Sequence, residues 1–469
     1  MSLRLYDTLS RSVRDFVPIE PGRASMYQCG PTVQSDPHVG HIRCGVVFDL
    51  LSRWLLASGY EVVLVRNVTD IDDKVLNKAV VESRPWWAVA SYYEREFRSA
   101  YDVLGCLPPT NEPRATGHIT QMIELISRLI DSGHAYYSAG DVYFDVRSYP
   151  EYGQLSRQRI DDLLPAADSD TDLRKRDPRD FALWKAAKPG EPAWPTPWGP
   201  GRPGWHIECS AMARAYLGPV FDIHGGGLDL VFPHHENEIA QSRAAGDGFA
   251  NYWLHNAWVT TAGEKMSKSL GNTLVVSHVI ERIRPVELRW YLIAAHYRSN
   301  LEFSDKALAE SAASYRRIEG FVVRAHARIA DSPEPSPELL PEQFSAALDD
   351  DLSVPAALAV LHDRVTSGNR MMTSGDDAQL GEVVAQVRSM LDVLGVDPLS
   401  ATWRDQSSED SALRTALDVL VTSELQARQQ ARAARDFAAA DAIRDRITSA
   451  GILIEDSAEG SRWSLAGQS

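Results

Sequence analysis

The 469-residue sequence predicts an α/β fold built on a parallel sheet, followed by a helical second half. Three observations carry that expectation. Strand-like, helix-like and strand-like segments follow one another between Ala24 and Val65, the pattern of a βαβ unit with a right-handed crossover. The α/β pattern resumes at Phe221-Asp222-Ile223-His224 after an irregular middle. Beyond about residue 305 the strand signals nearly stop, and Ala- and Leu-rich helical periodicity takes over. In such a sheet ligands are expected at the carboxyl ends of the strands.

The elements follow in order. Ala24 to Cys29 (ASMYQC) is a short apolar stretch ended by the breaker pair Gly30-Pro31. From Gly40 to Ser58, Val46, Val47, Leu50, Leu51, Trp54 and Leu55 fall at helical spacing, and Gly59 stands where a helix C-terminus is expected. Glu61 to Val65 (EVVLV) reads as a buried strand. Between about 110 and 203, Asp141 to Val146 alternates like a strand and Asp168 to Asp180 is a charged loop. Pro189 to Gly204 holds six prolines and four glycines, which excludes a long helix and predicts an irregular connection. The helical half is broken at Ser332 to Pro341, and a polar break at Trp403 to Asp410 precedes the last segment.

Composition narrows the function classes. With 44% hydrophobic and 24% charged residues the chain is an ordinary globular one, and its length predicts about three domains at ~150 residues each. No apolar run approaches the ~20 residues of a membrane span, so no membrane partner is expected. The N-terminus lacks a signal-peptide layout and four cysteines are no disulfide scaffold, so a cytoplasmic protein is expected. A net charge of −16, from 48 basic and 64 acidic residues, taken alone argues against a nucleic-acid partner.

Two motifs revise that. Pro37-His38-Val39-Gly40-His41 lies between the first predicted strand and helix. A helix N-terminus attracts phosphate, Gly40 lets a ligand approach the backbone, and the imidazoles can donate to phosphate oxygens. Alone, the tetrapeptide HVGH fits two surface-loop histidines equally well. Lys265-Met266-Ser267-Lys268-Ser269 offers two lysines and hydroxyls suited to clamping a polyphosphate, although a lone K-x-x-K is more often a solvated basic loop. Together, in this order on an α/β scaffold, the two resemble the signature motifs of class I aminoacyl-tRNA synthetases. The resemblance implies a Rossmann-like catalytic domain binding ATP with Mg²⁺, and charge stabilisation by His38, His41, Lys265 and Lys268.

A third constellation is Cys29, Cys209, His234 and Glu238. The last two stand at i and i+4, on one face of a helix, and the four are a normal zinc set. Spacing alone leaves inert buried thiols open, because no CxxC pair anchors the site. The sequence resembles the cysteinyl-tRNA synthetase family over essentially its full length. The resemblance rests on Cys29-Gly30-Pro31-Thr32-Val33, Asn67 to Lys74 (NVTDIDDK), Gly204 to Ser210 (GWHIECS) and Gly225 to Leu230 (GGGLDL) running on to Glu238. It implies a Zn²⁺ on those four positions that binds the thiolate of substrate cysteine. Cys44 and Cys106 match no motif and are expected to be packing residues.

Other positions carry alternatives. Asp70, Asp72 and Asp73 fit a Mg²⁺ site or a substrate-ammonium site, while Thr69 or Asp70 could equally cap the next helix. The resemblance favours Thr69 or Asp70 beside the ammonium. It places Gly227 and Asp229 at the adenosine ribose, with Gly40 and Lys268 also contacting ATP. Trp205 is a wall of the amino-acid pocket or a core tryptophan.

At the C-terminus Arg428, Arg432 and Arg435 recur at three- and four-residue steps, a basic face suited to phosphate or simply solvated. Ala434 to Asp445, with Gly451 and Trp463, resembles the family's anticodon-reading module, where Trp463 either stacks on a base or closes a small core. The expected domains are a catalytic one over 1–305 with an insertion at about 110–203, a stem-contact and helical-bundle domain over 306–402, and an anticodon-binding module over 411–469. The implied reaction is ATP-dependent ligation of L-cysteine to tRNA(Cys) through a cysteinyl-adenylate, by a monomer. The rival is the cysteine ligase of mycothiol biosynthesis, which acts on an amino sugar. Net charge averages over the surface, whereas RNA meets local basic patches, so −16 does not exclude tRNA.

Overall fold

The computed structural model describes residues 2–162, 174–261, 264–265, 274–329, 334–404, 408–434, 436–457 and 460–465. The chain divides into two compact units, 1–397 and 398–469.

The first unit opens with an antiparallel hairpin, β1 (Arg4–Asp7) and β2 (Ser12–Asp15). The predicted βαβ unit follows as β3 (Arg23–Gln28), α1 (Val39–Ala57) and β4 (Glu61–Arg66), with β3 and β4 parallel. The apolar residues read from the sequence are all buried on α1, and Gly59 follows its end with φ +86°. Gly45 lets α1 pack closely, since a Cβ there would lie 2.2 Å from the Tyr101 ring. That ring belongs to α3 (Trp86–Val103), which follows α2 (Asp73–Glu82).

The predicted insertion holds α4 (Ile119–Asp131) and an antiparallel sheet in the order β5 (Ala135–Ser138), β6 (Asp141–Phe144), β7 (Phe181–Ala186) and β8 (Gly201–Pro203). Three residues of the Pro- and Gly-rich stretch thus pair as an edge strand, where proline is tolerated. After α5 (Trp205–Leu217), β9 (Val220–Gly227), α6 (Glu236–Ala244) and β10 (Phe249–Asn256) complete a parallel sheet in the order β10-β9-β3-β4.

A small sheet of β11 (Val259–Thr261), β12 (Glu264–Lys265) and, beyond α7 (Val276–Ile280) and α8 (Pro285–Ala294), β13 (Leu301–Glu302) lies next along the chain. The rest of this unit is helical: α9 (Asp305–Arg328), α10 (Glu342–Asp349), α11 (Val354–Ser374) and α12 (Asp377–Val393).

The second unit contains α13 (Ser408–Ala433), α14 (Phe437–Ser449) and a hairpin of β14 (Ile452–Ser457) and β15 (Gly460–Leu465). The hairpin departs from the expectation that strand signals stop. Its strands are as long as β3 and β4, but β14 opens with the unbroken apolar run Ile452-Leu453-Ile454 and β15 has only Trp463 and Leu465 as large apolar residues, so neither alternates cleanly in the sequence.

Candidate functional site

Four elements of the first unit converge at the carboxyl ends of β3 and β9. Cys29 directly follows β3, and its N–H donates to the Gly225 carbonyl at 2.9 Å. Cys209 lies on α5, His234 in the turn before α6, and Glu238 in the first turn of α6. All four side chains are buried, and their donor atoms lie within 4.8 Å of one another. Cys29 Sγ is 3.8 Å from Cys209 Sγ and 3.4 Å from Glu238 Oε1, which His234 Nε2 meets at 3.1 Å.

A second set, Cys29, His224, His235 and Glu238, overlaps the first. His235 Nε2 is 3.3 Å and His224 Nε2 3.6 Å from the Cys29 sulfur. Sequence reasoning missed both histidines, although the His234-His235 doublet was the signal for one of them.

Burial pushes the Cys29 and Cys209 thiols up and the His234 and His235 imidazoles down. Burial thus favours neutral imidazoles, the form that can offer a nitrogen lone pair to a metal. Among the ion pairs of the described residues, Glu238 meets only histidines. Two thiols, neutral imidazoles and a carboxylate without its own cation fit a borderline-soft metal ion.

Around this floor stand the residues expected at the amino acid. Trp205 opens α5 and stacks on His234, with ring centroids 4.1 Å apart, while the Lys74 ammonium lies over the Trp205 ring, 5.4 Å from its centroid. Thr69 pairs with Thr32 as an isolated bridge, and the Asn67 side chain receives the Gly30 N–H at 2.8 Å. Gly30 is required there, since a Cβ would come within 1.7 Å of the Asn67 carbonyl oxygen.

The three aspartates diverge. Asp70 accepts from the backbone and hydroxyl of Thr116 at 2.9 and 2.5 Å. Asp72 caps α2, accepting from the Lys74 N–H at 2.7 Å, and Asp73 pairs with Lys185 at 2.8 Å and with Arg202. The helix cap is therefore Asp72 rather than Thr69 or Asp70, because the chain turns into α2 only after residue 72. Among the described residues, no group of three or more possible metal ligands includes these aspartates.

His38 is the N-cap of α1, its ring receiving the His41 N–H at 3.3 Å, and the two imidazoles stack with centroids 3.5 Å apart. Gly40 lies under them, where a Cβ would meet His38 Nδ1 at 3.1 Å. The same segment pairs with the chain at 274–276: Val39 N–H donates to the Leu274 carbonyl and Val276 N–H to the Pro37 carbonyl. Lys265 lies in β12 opposite Thr260, and Lys268 falls outside the described residues. Gly227 ends β9, and Asp229 sits on the exposed turn that follows.

A family model for the class I (C) catalytic domain of tRNA synthetases matches residues 15–313. A DALR domain matches 343–397, and a cysteinyl-tRNA ligase anticodon binding domain matches 415–463. A cysteine–tRNA ligase of Streptomyces avermitilis is 56% identical over 466 residues, 99% of each chain. The chain belongs to the cysteinyl-tRNA synthetase family. Cysteinyl-tRNA synthetases are class I ligases, and the activity of this one is the joining of cysteine to tRNA. The anticodon-domain match disfavours an amino-sugar acceptor.

Solved structures agree in fold. Methionyl-tRNA synthetase of Mycobacterium tuberculosis with methionyl-adenylate aligns at TM-score 0.58 and 15% identity, over 84% of this chain and 92% of that one. The agnB2 LeuRS of Agrobacterium radiobacter K84, in a ternary complex with tRNA and LeuAMS, aligns at 0.57 and 12%, over 82% and 85%. The fold is thus the Rossmann-like parallel sheet of class I synthetases with helical domains behind it. No helix among the described residues is long and apolar enough to cross a membrane.

In the synthetase's second unit one expectation changes and one choice narrows. Arg428 is buried on the face it shares with Val421 and Leu425, at i, i+4 and i+7 of α13, so it does not present an open phosphate contact. Arg432 is exposed, and Arg435 lies outside the described residues. Trp463 is half-buried against a small core of Val421, Leu425, Ile443, Ile447 and Ile452, and its indole N–H donates to Asp418 at 2.9 Å. Closing that core, rather than standing free to stack, is the role its surroundings support.

Proposed function

We propose that the enzyme selects L-cysteine through a Zn²⁺ held by Cys29, Cys209, His234 and Glu238, and charges tRNA(Cys) through a cysteinyl-adenylate. The single observation that carries the reading is the fully buried cluster of two thiols, imidazole and carboxylate at the strand ends. Serine and cysteine differ so little that a simple pocket separates them by only about 10²-fold. Bound at this floor, a borderline-soft ion supplies strong preference for a thiolate over a neutral hydroxyl. His224 and His235 line the other side of the same floor and hold Cys29 and Glu238 in place.

The protein's own groups then act on ATP·Mg²⁺. Thr69 and Asp70 stand near the substrate ammonium, Trp205 walls the pocket, and Gly227 and Asp229 meet the ribose. As the cysteine carboxylate attacks the α-phosphorus, His38, His41, Lys265 and Lys268 stabilise the growing charge, and pyrophosphate leaves. A terminal ribose hydroxyl of tRNA next attacks the adenylate carbonyl, forming the cysteinyl ester as the acyl–phosphate bond breaks, the hydroxyl proton is lost and AMP leaves. The working unit is a cytoplasmic monomer with a catalytic region at 1–305, a helical bundle at 306–402 and an anticodon-reading module at 411–469, where Arg432 contacts phosphate.

The test is cysteine- and serine-dependent ATP–pyrophosphate exchange, with and without a zinc chelator. Cysteine activation is expected to disappear with the metal; equal activation of serine by the loaded enzyme would contradict the reading. Lys268→Ala is expected to lose exchange by about 10²-fold or more while keeping its metal content, as removal of one charge-stabilising group does. An unchanged exchange rate in that variant removes Lys268 from the mechanism.

A further inference from the structure

Arg43 lies two residues beyond His41 on α1, and its side chain is fully buried. No carboxylate pairs with it among the described residues. Instead its guanidinium donates to four backbone carbonyls. Nη1 reaches those of Ala257 and Trp258, both at 2.9 Å, and Nη2 reaches those of His296 and Ser299 at 3.2 and 2.8 Å.

These carbonyls belong to the two segments that frame the small sheet ending in Lys265. Ala257 and Trp258 lead directly into β11, whose Thr260 stands opposite Lys265. The turn 296–299 leads into β13, which pairs with β11 at Val259–Leu301 and Thr260–Glu302. Ala257 N–H also donates to the Tyr297 carbonyl, and Leu301 N–H to that of Trp258, at 2.8 and 2.9 Å. The same turn is gripped from its other side by Asp351, which accepts from Tyr297 Oη at 2.5 Å and Arg298 Nε at 2.7 Å, as well as from the Tyr6 N–H at 2.8 Å.

We propose that Arg43 is a positioning residue for adenylate formation: one guanidinium on the helix that carries His38 and His41 fixes the sheet that carries Lys265. The backbone pairing of 37–39 with 274–276 ties the histidine segment to the chain beyond the lysine motif. Arg43 supplies the corresponding tie to the chain before it. Burying a guanidinium without a counter-charge is costly, and the fork geometry that satisfies several carbonyls at once is specific to arginine. A small displacement of one phosphate-binding group relative to another slows chemistry far more than it weakens binding of a remote substrate part.

The inference rests on the assignment of His38, His41 and Lys265 to the phosphates, so its test carries His41→Ala as a reference. Pyrophosphate exchange is measured for Arg43→Ala and Arg43→Lys, together with metal content, cysteine KM and thermal midpoint. Arg43→Ala is expected to lose about 10²-fold in kcat, with cysteine KM and metal content held and with partial rescue by added guanidinium ion. Arg43→Lys, which cannot reach all four carbonyls, is expected to fall between Arg43→Ala and the wild type.

Wild-type kcat in a folded Arg43→Ala overturns the proposal. So does a loss that guanidinium fails to rescue and that raises cysteine KM in parallel, the mark of a general structural role. If neither Arg43 variant folds, Asp351→Asn decides: it loosens the same turn, and a kcat loss at constant cysteine KM supports the joint, whereas unchanged kcat overturns it. If His41→Ala also keeps its exchange rate, the phosphate assignment fails; if only the Arg43 variants keep theirs, the inference alone fails.

Discussion

Two buried polar clusters in the first unit differ in one respect. At the candidate metal site, Cys29, Cys209, His234 and Glu238 gather with no basic side chain but histidine paired to the carboxylate among the described residues. About the middle of α1, Asp49 is equally buried but meets Arg289 and, at 2.9 Å, Arg53, while accepting the Leu107 N–H at 2.6 Å. Arg289 in turn donates to the Leu104 and Leu394 carbonyls, and Gly395, with φ +71°, leaves it room. The second cluster pairs its carboxylate with cations of its own and joins α1, α8 and the end of α12. The first does not, and that deficit is what marks it as a place for a ligand rather than a strut.

The contrast can be broken or sharpened by substitution. The largest effect is expected from Asp49→Asn, which leaves Arg289 buried without its counter-charge and costs about 3–5 kcal/mol. Thermal or urea unfolding should show that loss with metal content unchanged. Cys209→Ser should do the reverse. Its stability is nearly kept, while bound zinc by elemental analysis and cysteine-dependent exchange fall by more than about 10²-fold, beyond what losing a group that merely supports a ligand costs. A Cys209→Ser protein that keeps its metal and its activity would erase the distinction between the clusters.

Acid supplies a smaller, graded version. Burial alone would raise the Asp49 carboxyl, but Arg289 and Arg53 outweigh it and hold the group below its ordinary value. Its folded pKa thus lies below the unfolded one of about 3.9, so its stabilisation is present above that pH and is lost as pH falls through the folded value. The urea midpoint of the wild type should converge on that of Asp49→Asn as pH drops below about 4. The smallest effect is expected at Arg53→Met, about 1 kcal/mol, because Arg53 is partly exposed and Arg289 still pairs with Asp49.

What the sequence made legible divides along similar lines. The βαβ unit was readable because α1 and the flanking strands carry their periodicity locally. The candidate site types could be named because few residues can serve a phosphate or a soft metal; HVGH and KMSKS pointed to that chemistry only in combination, and all of KMSKS but Lys265 lies outside the described residues. The burial of Arg428 was not readable, and Trp463 was readable only as two alternatives. Which face of α13 is buried depends on α14 and the hairpin, and nothing in the arginine spacing reveals that partner. His224 escaped because its meeting with Cys29 is made by the register of β3 and β9, and His235 because the turn before α6 folds it back to the same sulfur; no sequence interval encodes either. Asp72 was passed over as a cap because three neighbouring aspartates offered equal credentials, and only the backbone path separates them.

Arg43 recognises its four partners through carbonyl oxygens, which every amino acid possesses. The constraint on sequence is therefore lopsided. Positions 257, 258, 296 and 299 are free to vary in side chain as far as this contact is concerned, provided the chain keeps its course. Position 43 has no such latitude. Drift in the segments that frame Lys265 can accumulate without disturbing the spacing between them and the histidine helix, since the gauge that sets it reads only main chain.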